Sequence, residues 1–173
     1  IVVIIILPLS AVYHKIGEYG TPSYALSVTV SNNIAYVAAW DAGLQIIDIS
    51  NPQNPSLLGS YDTPDYANYV VMSDNIVYVA GGESGLLIVD VTNPENPFLL
   101  SSYYTTGSAF SVDFYNSIAY VANGWAGLQI IDVSNPENPS LLGSYDTPDW
   151  AYSVFVSNNI AYVADGWAGL QII

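Results

Sequence analysis

One decapeptide constrains this chain more than any other feature: Gly127-Leu-Gln-Ile-Ile-Asp-Val-Ser-Asn-Pro136. It recurs from Gly43 to Pro52 and from Gly85 to Pro94, and a fourth copy runs from Gly169 to Ile173. The four glycines are spaced by 42 residues each time. Other columns keep the same step: Tyr19, Tyr61, Tyr103 and Tyr145; Val28, Val70, Val112 and Val154; Tyr36, Tyr78, Tyr120 and Tyr162. A fixed period of this length means that one supersecondary unit is stacked on copies of itself, because a single unit cannot bury its own apolar faces.

Each unit holds four short apolar segments. In the second they are Tyr69 to Met72, Ile76 to Ala80, Leu86 to Val91 and Phe98 to Tyr103. They are rich in Val, Ile and Tyr and are bounded by Gly, Asn and Pro, which predicts strands. No stretch sustains a helical apolar stripe, so no helix is expected. The connections are short: Ser73-Asp74-Asn75, then Gly81 to Gly85, then Thr92 to Pro97. Parallel neighbours need crossovers of a dozen residues or more, so these loops impose antiparallel pairing. The third segment, Leu86-Leu-Ile-Val-Asp-Val91, is apolar without alternation, which places it in a sheet covered on both faces.

Four-stranded antiparallel sheets repeated every 42 residues are the blades of a β-propeller. The expected fold is all-β: a propeller of four blade units over residues 15–173, or an open arc of a larger ring. A parallel β-helix fits less well, since its strands do not pair through tight hairpins. Lys15 to Tyr19 aligns with the fourth-strand segment Leu57 to Tyr61 and could complete the last blade of a four-bladed ring. The low blade number favours the larger ring instead.

Residues 1–14 form a separate apolar segment. Ile1 to Leu9 is too short to span a bilayer as a helix, which needs about 20 residues. It reads either as the remnant of a signal peptide, with Leu9-Ser10-Ala11 as a weak cleavage site, or as a strand of a degenerate preceding repeat, with Ile4 and Ile5 falling on Ile46 and Ile47.

Charge excludes whole classes of partner. Lys15 is the single basic side chain besides His14, against 15 Asp and Glu, for a net charge of −14. Nucleic-acid binding relies on Lys and Arg displacing counterions, so nucleic acid is rejected as a partner. Adsorption to anionic membranes is disfavoured for the same reason, and no direct membrane insertion by the repeats is expected. Cysteine is absent, which removes thiolate chemistry but does not fix the compartment.

The strand motifs Leu44-Gln-Ile-Ile-Asp48, Leu86-Leu-Ile-Val-Asp90 and Leu128-Gln-Ile-Ile-Asp132 resemble the LVIVD repeat. The flanking Ser-Asn-Pro, Leu-Leu-Gly-Ser-Tyr and Tyr-Val-Ala segments follow the same family's pattern. The resemblance covers roughly residues 15–173. It implies a propeller in an exported or cell-surface protein, and so an extracellular or cell-surface location. It implies no reaction, since a fold of this kind hosts many functions.

The recurrent Asp48, Asp90 and Asp132 are read as structural turn acids that accept backbone N–H groups where the third strand ends. A group needed once for catalysis has no reason to recur in every unit. Oxygen-rich segments such as Asp62-Thr-Pro-Asp65 would suit calcium, but no segment carries the spacing of a calcium-binding loop. No cofactor or metal is expected, with calcium the one metal these oxygens favour. One histidine gives no credible Ser-His-Asp set, and no phosphate-binding glycine loop is present. The carboxylates leave a hydrolase or lyase as the enzymatic alternative, although nothing selects a pair.

The differences between repeats say more. The Asn-Pro-x-Asn-Pro loop hardly changes. The loop after the second strand does: Ala39-Trp-Asp-Ala42, Gly81-Gly-Glu-Ser84, Asn123-Gly-Trp-Ala126, Asp165-Gly-Trp-Ala168. So does the inter-blade segment: Pro22-Ser-Tyr24, Pro64-Asp-Tyr66, Thr106-Gly-Ser108, Pro148-Asp-Trp150. In an up-and-down blade both emerge on one face. That face would gather Tyr24, Trp40, Asp41, Asp65, Tyr66, Glu83, Trp125, Asp149, Trp150, Asp165 and Trp167. Aromatic platforms beside carboxylates suit a protein hot spot or a sugar ring. The expected function is a non-catalytic binding or scaffolding module with a protein or glycan partner. A purely structural spacer is the alternative.

Overall fold

The strands end where the backbone is asked to do something that a β-branched residue resists. In a computed structural model, which describes residues 14–173, the pairs Asn32–Asn33, Asn116–Ser117 and Asn158–Asn159 all have positive φ, from 49° to 63°. Two consecutive left-handed residues make the tight turn that matches the twist of a hairpin. The connection expected to take three residues therefore takes two, because Ser73 remains in its strand.

The described residues form four sheets, each in simple sequential order. Blade 1 holds β1 (Ser27–Ser31), β2 (Ile34–Ala38), β3 (Leu44–Asp48) and β4 (Ser56–Tyr61). Blade 2 holds β5 (Tyr69–Ser73), β6 (Ile76–Ala80), β7 (Leu86–Asp90) and β8 (Phe98–Tyr103). Blade 3 holds β9 (Ser111–Tyr115), β10 (Ile118–Ala122), β11 (Leu128–Asp132) and β12 (Ser140–Tyr145). Among the described residues blade 4 has three strands, β13 (Ala151–Ser157), β14 (Ile160–Asp165) and β15 (Gly169–Ile172). All pairings are antiparallel, and the third-to-fourth-strand ladder carries a bulge at the same place in blades 1, 2 and 3. The loop between β14 and β15 contains a three-residue 3-10 turn, Gly166–Ala168.

The blades stack face to face. One face of blade 1 (Tyr36, Ala38, Leu44, Ile46) packs on the opposite face of blade 2 (Val70, Val77, Val79, Leu87, Val89). Blade 2 offers Tyr78, Ala80, Leu86 and Ile88 to Val112, Ala119, Val121 and Ile131 of blade 3. Blade 3 offers Ala122 and Leu128 to Val154, Val156 and Val163 of blade 4. Each enclosed Leu or Ile contributes about 2 kcal/mol by leaving water, which is why the third strand carries no polar alternation. The first strands touch one another from blade to blade and form the inner rim. They are tied by Val70 N–H donating to Ser27 Oγ (3.3 Å) and Val156 N–H donating to Asp113 Oδ2 (2.6 Å).

The opening glycine of the decapeptide is dictated by this geometry. Gly43, Gly85 and Gly127 have φ of 68°, 78° and 71°, and a side chain there would overlap the carbonyl of Tyr61, Tyr103 or Tyr145.

The arc is open. Among the described residues no core cluster joins blade 1 to blade 4. Closure of a four-bladed ring by Lys15 to Tyr19 is not what the structure shows. This segment is not a strand; instead Tyr19 packs on Ala35, Val37 and Ile47 of blade 1. A ladder strand needs a neighbour, and blade 4 is not beside it. Residues 1–13, which include the stretch read as signal-peptide remnant or strand, lie outside the described residues.

Candidate functional site: an aromatic and acidic loop face

The constant loops and the variable loops lie at opposite ends of the blades. At the constant end, Ser50, Thr92 and Ser134 donate their N–H groups to Asp48, Asp90 and Asp132 (2.8, 2.7 and 2.8 Å). Asn51, Asn93 and Asn135 then repeat the motif at 3.2 Å. These bonds hold the Asp48 and Asp132 carboxyls below the ordinary aspartate value, the Ser50 and Ser134 backbone being the larger cause and their hydroxyls the smaller. The carboxylates are occupied in closing turns.

At the variable end, the loop after the second strand meets the inter-blade segment. Backbone brackets join neighbouring blades here: Trp40 to Ala67, Gly82 to Ala109 and Gly124 to Ala151. Within blades 2 and 4 a carboxylate adds a brace. Asp65 Oδ2 accepts the N–H of Glu83, and Asp149 Oδ2 accepts that of Trp167, each at 2.7 Å. The brace leaves no room at the preceding position, where a side chain on Gly82 or Gly166 would run into the same carboxylate. Asp65 and Asp149 thus reach the expected face, but each carboxylate is partly spent on its own loop. Asp165 is a clear correction. It is buried, its Oδ2 accepts the Asp149 N–H at 3.3 Å and its Oδ1 has no partner. It supports the loop from beneath and is not exposed to a partner.

Blade 1 lacks the brace, having Ser23 where blades 2 and 4 have Asp65 and Asp149, and there the glycine position carries Trp40. Its φ is 46°, against 57°, 56° and 43° for Gly82, Gly124 and Gly166. A left-handed backbone costs a bulky residue about 1–2 kcal/mol. The ring is held by stacking on Tyr66 (centroids 4.5 Å apart) and edge-on contact with Tyr24 (5.7 Å). Trp40 is therefore one column away from Trp125 and Trp167, and it forms its own cluster. Asp41 beside it is exposed.

A second cluster lies across blades 3 and 4. Trp150 packs near Phe110 (5.9 Å) and Tyr152 (6.2 Å). Trp125 and Trp150 together line two adjoining clefts. One, of 500 Å³, adds Asp146, Thr147, Pro148 and Asp149. The other, of 270 Å³, adds Glu83, Tyr104, Thr106 and Ser108. Trp125 is 58% exposed and Trp150 41%. Trp167 stands fully in solvent.

The eleven positions therefore do not converge. They divide into a blade 1 cluster, a blade 3 and 4 cleft that reaches Glu83 of blade 2, the isolated Trp167 and the buried Asp165. Sequence reasoning missed Phe110, Tyr104 and Tyr152. The signal was present in their columns: Tyr104 stands where other units have Gly20, Asp62 and Asp146, and Phe110 and Tyr152 stand where others have Leu26 and Asn68. Among the described residues no three carboxylates or imidazoles gather as a metal site.

Stacked four-stranded blades in an open arc define the class: an all-β propeller-type repeat protein. The chain belongs to the LVIVD repeat family, whose model matches residues 22–63, 64–105, 106–147 and 150–173. No curated protein matches it. Among solved structures it is similar to the computationally designed Ika4 protein, with 15% identity and a TM-score of 0.76 over 93% of this chain and 97% of that one. It is similar to the designed Ika8 protein, with 16% identity and a TM-score of 0.73 over 88% of this chain and 46% of that one. A functionally unknown protein from Desulfotomaculum acetoxidans DSM 771 gives 16% identity and a TM-score of 0.67 over 90% and 56%. The chain thus spans about half the length of the latter two. At these identities the likeness concerns the fold.

Proposed function

We propose that this repeat module is a non-catalytic binding protein that takes an uncharged glycan in the cleft between Trp125 and Trp150. The observation behind this reading is the pairing of two part-exposed indoles with Asp146, Asp149, Glu83 and the Thr106 and Thr147 region in adjoining clefts. Indole faces offer apolar platforms to the C–H faces of a sugar, and carboxylates accept its hydroxyl protons. The single lysine is paired with Glu18, so an anionic ligand meets only repulsion. The exported, cell-surface setting belongs to the same proposal, as the place where glycans are met.

The test is a glycan array followed by calorimetry with the best neutral oligosaccharide. Trp125→Ala with Trp150→Ala is expected to weaken binding at least tenfold, about 1.4 kcal/mol, with an unchanged circular dichroism spectrum. Equal affinity in the double variant removes the cleft as the site. Retention of a protein but of no glycan replaces the glycan reading with a protein partner, and a chain that retains neither is a spacer.

A further inference from the structure

The loop after the second strand turns at a left-handed residue, and the residue that follows offers its N–H to the segment entering the blade. In blade 2 Asp65 Oδ2 accepts that N–H from Glu83, and in blade 4 Asp149 Oδ2 accepts it from Trp167, each at 2.7 Å. Blade 3 keeps the same turn, with Gly124 at a φ of 56° against 57° for Gly82. However, Gly107 stands in its carboxylate column. The Trp125 N–H therefore has no acceptor among the described residues. No side chain at position 107 can supply one, because a Cβ there would overlap the Asn123 carbonyl. Blade 1 also lacks the acid, but there the glycine position carries Trp40. Of the four units, only blade 3 joins the bare glycine to the missing carboxylate.

This spot opens into the smaller cleft, which Glu83, Thr106, Gly107, Ser108, Trp125 and Trp150 line together with Tyr104. A methyl on Gly124 would stand 3.1 Å from Phe110 Cε2, 3.4 Å from the Ser108 carbonyl oxygen and 3.5 Å from Trp150 Cε3. The Ser108 oxygen accepts no hydrogen bond among the described residues. A backbone donor, a backbone acceptor and a wall of aromatic carbon thus meet at one place. Thr106 adds a hydroxyl at the rim. Gln129 Nε2 donates to its Oγ1 at 3.1 Å, which leaves the hydroxyl proton for a ligand. The sister glutamines serve their own loops instead, Gln45 donating to Ala42 O and Gln171 to Ala168 O.

The complement of this arrangement is a secondary amide with a methyl group: a carbonyl oxygen for the Trp125 N–H, an N–H for the Ser108 oxygen, and a methyl for the Phe110 and Trp150 carbons. A hydroxyl would pair with the polar groups but leave the aromatic carbons without contact. A free carboxylate would copy the sister blades, but Glu83 lines the same cleft and the single lysine is paired with Glu18, so its charge is repelled. We propose that the cleft selects an acetamido sugar, an N-acetylated hexosamine, whose acetamido carbonyl takes the place that the Asp carboxylate holds in blades 2 and 4. The proposal rests on the glycan reading above and names its class. The sugar ring lies on the Trp125 and Trp150 indoles, and Glu83 and Thr106 meet its hydroxyls.

The test compares sugars that differ only in this group, triacetylchitotriose against cellotriose and the matching galacto pair, titrated into the 173-residue chain. A site built to hydrogen-bond a group rejects the analogue that lacks it. The acetamido member of one pair is expected to bind at least tenfold more tightly, about 1.4 kcal/mol. It should also shift the Trp125 backbone amide in proton–nitrogen correlation spectra, which its hydroxyl analogue does not. Gly124→Ala puts a methyl where the acetamido group would sit and should level the two affinities; Trp40 shows that this column accepts a side chain. The amide shift in the unaltered chain decides the matter should that variant not fold. Equal affinities within both pairs, each lost in the Trp125→Ala, Trp150→Ala variant, overturn the acetamido inference and leave the glycan cleft standing. A preference that survives in folded Gly124→Ala, or an unmoved Trp125 amide, overturns the placement. Equal affinity for a neutral N-acetylated dipeptide amide overturns the sugar class, and a chain that binds no glycan removes the reading beneath it as well.

Discussion

Replacing Gly59 and Gly143, the same column of two blades, separates blade packing from local backbone preference. Neither has the left-handed φ that favours glycine. A methyl on Gly59 would overlap the carbonyl oxygen of Pro94 and come within 3.1 Å of the Glu95 carbonyl. These are backbone atoms of the neighbouring blade's turn, so the turn must move. Overpacking of this kind costs about 1–3 kcal/mol. A methyl on Gly143 meets nothing within 4 Å, and Gly→Ala at a compatible position stabilises by about 0.4–1 kcal/mol through the unfolded chain. The two alanine variants should differ by about 2–3 kcal/mol, or roughly 5–10 °C in Tm for a chain of this size. Blade 2 supplies a third arm. Ser101 occupies this column and donates its hydroxyl to Pro136 O, so Gly59→Ser should recover about 1 kcal/mol relative to Gly59→Ala. Urea unfolding followed by tryptophan fluorescence and circular dichroism reads all three. Equal destabilisation by Gly59→Ala and Gly143→Ala would refute the argument that this column is set by the next blade's turn. Serine proving worse than alanine at position 59 would refute the hydrogen-bond part.

Two further outcomes are expected. The Asp48 and Asp132 carboxyls lie below the ordinary value of 3.8 because Ser50 and Ser134 bond their charged forms. The unfolded chain therefore binds these protons more readily. Their contribution is present above 3.8 and is lost as pH falls through the lower folded values. Asp48→Asn with Asp132→Asn should melt below wild type at neutral pH, with the gap closing in acid; a gap that widens in acid contradicts the sign. At Trp40, glycine removes a left-handed penalty of about 1–2 kcal/mol but also the stacking on Tyr66, worth about 0.5–1.5 kcal/mol. Alanine removes the stacking and keeps the penalty. Chemical denaturation should rank Trp40→Gly above Trp40→Ala, and the reverse order would show that the backbone there is unstrained.

How far the sequence could be read depended on whether a residue answers to its own unit or to another. The third strand was legible because Leu86, Leu87, Ile88 and Val89 are all enclosed, so their composition carries the burial directly. The turn acids were legible because Asp48 and Ser50 lie two residues apart and close a bond that spacing alone anticipates. The hairpin was misjudged by one residue, since Ser73 in the strand and Ser73 in a loop look alike until the φ of Asp74 is known. The loop face was legible only as a set of variable columns. Asp65 and Gly82 constrain each other across 17 positions, and so do Asp149 and Gly166. Blade 1, with Ser23 and Trp40, shows what happens when the pair is released. Blade 3 keeps Gly124 although Gly107 stands in the Asp column, so the pairing acquires meaning only when the carboxylate is seen over the glycine in blades 2 and 4. Scaffold and site separate in the same way. The column of Val70, Val112 and Val154, buried against the preceding blade, does not vary, whereas Trp40, Tyr104, Phe110, Trp125 and Tyr152 stand in columns that do. Trp40 goes further, since it keeps a bulky aromatic on a backbone that its sister units give to glycine. A binding surface on this arc is therefore to be sought where the repeat departs from itself.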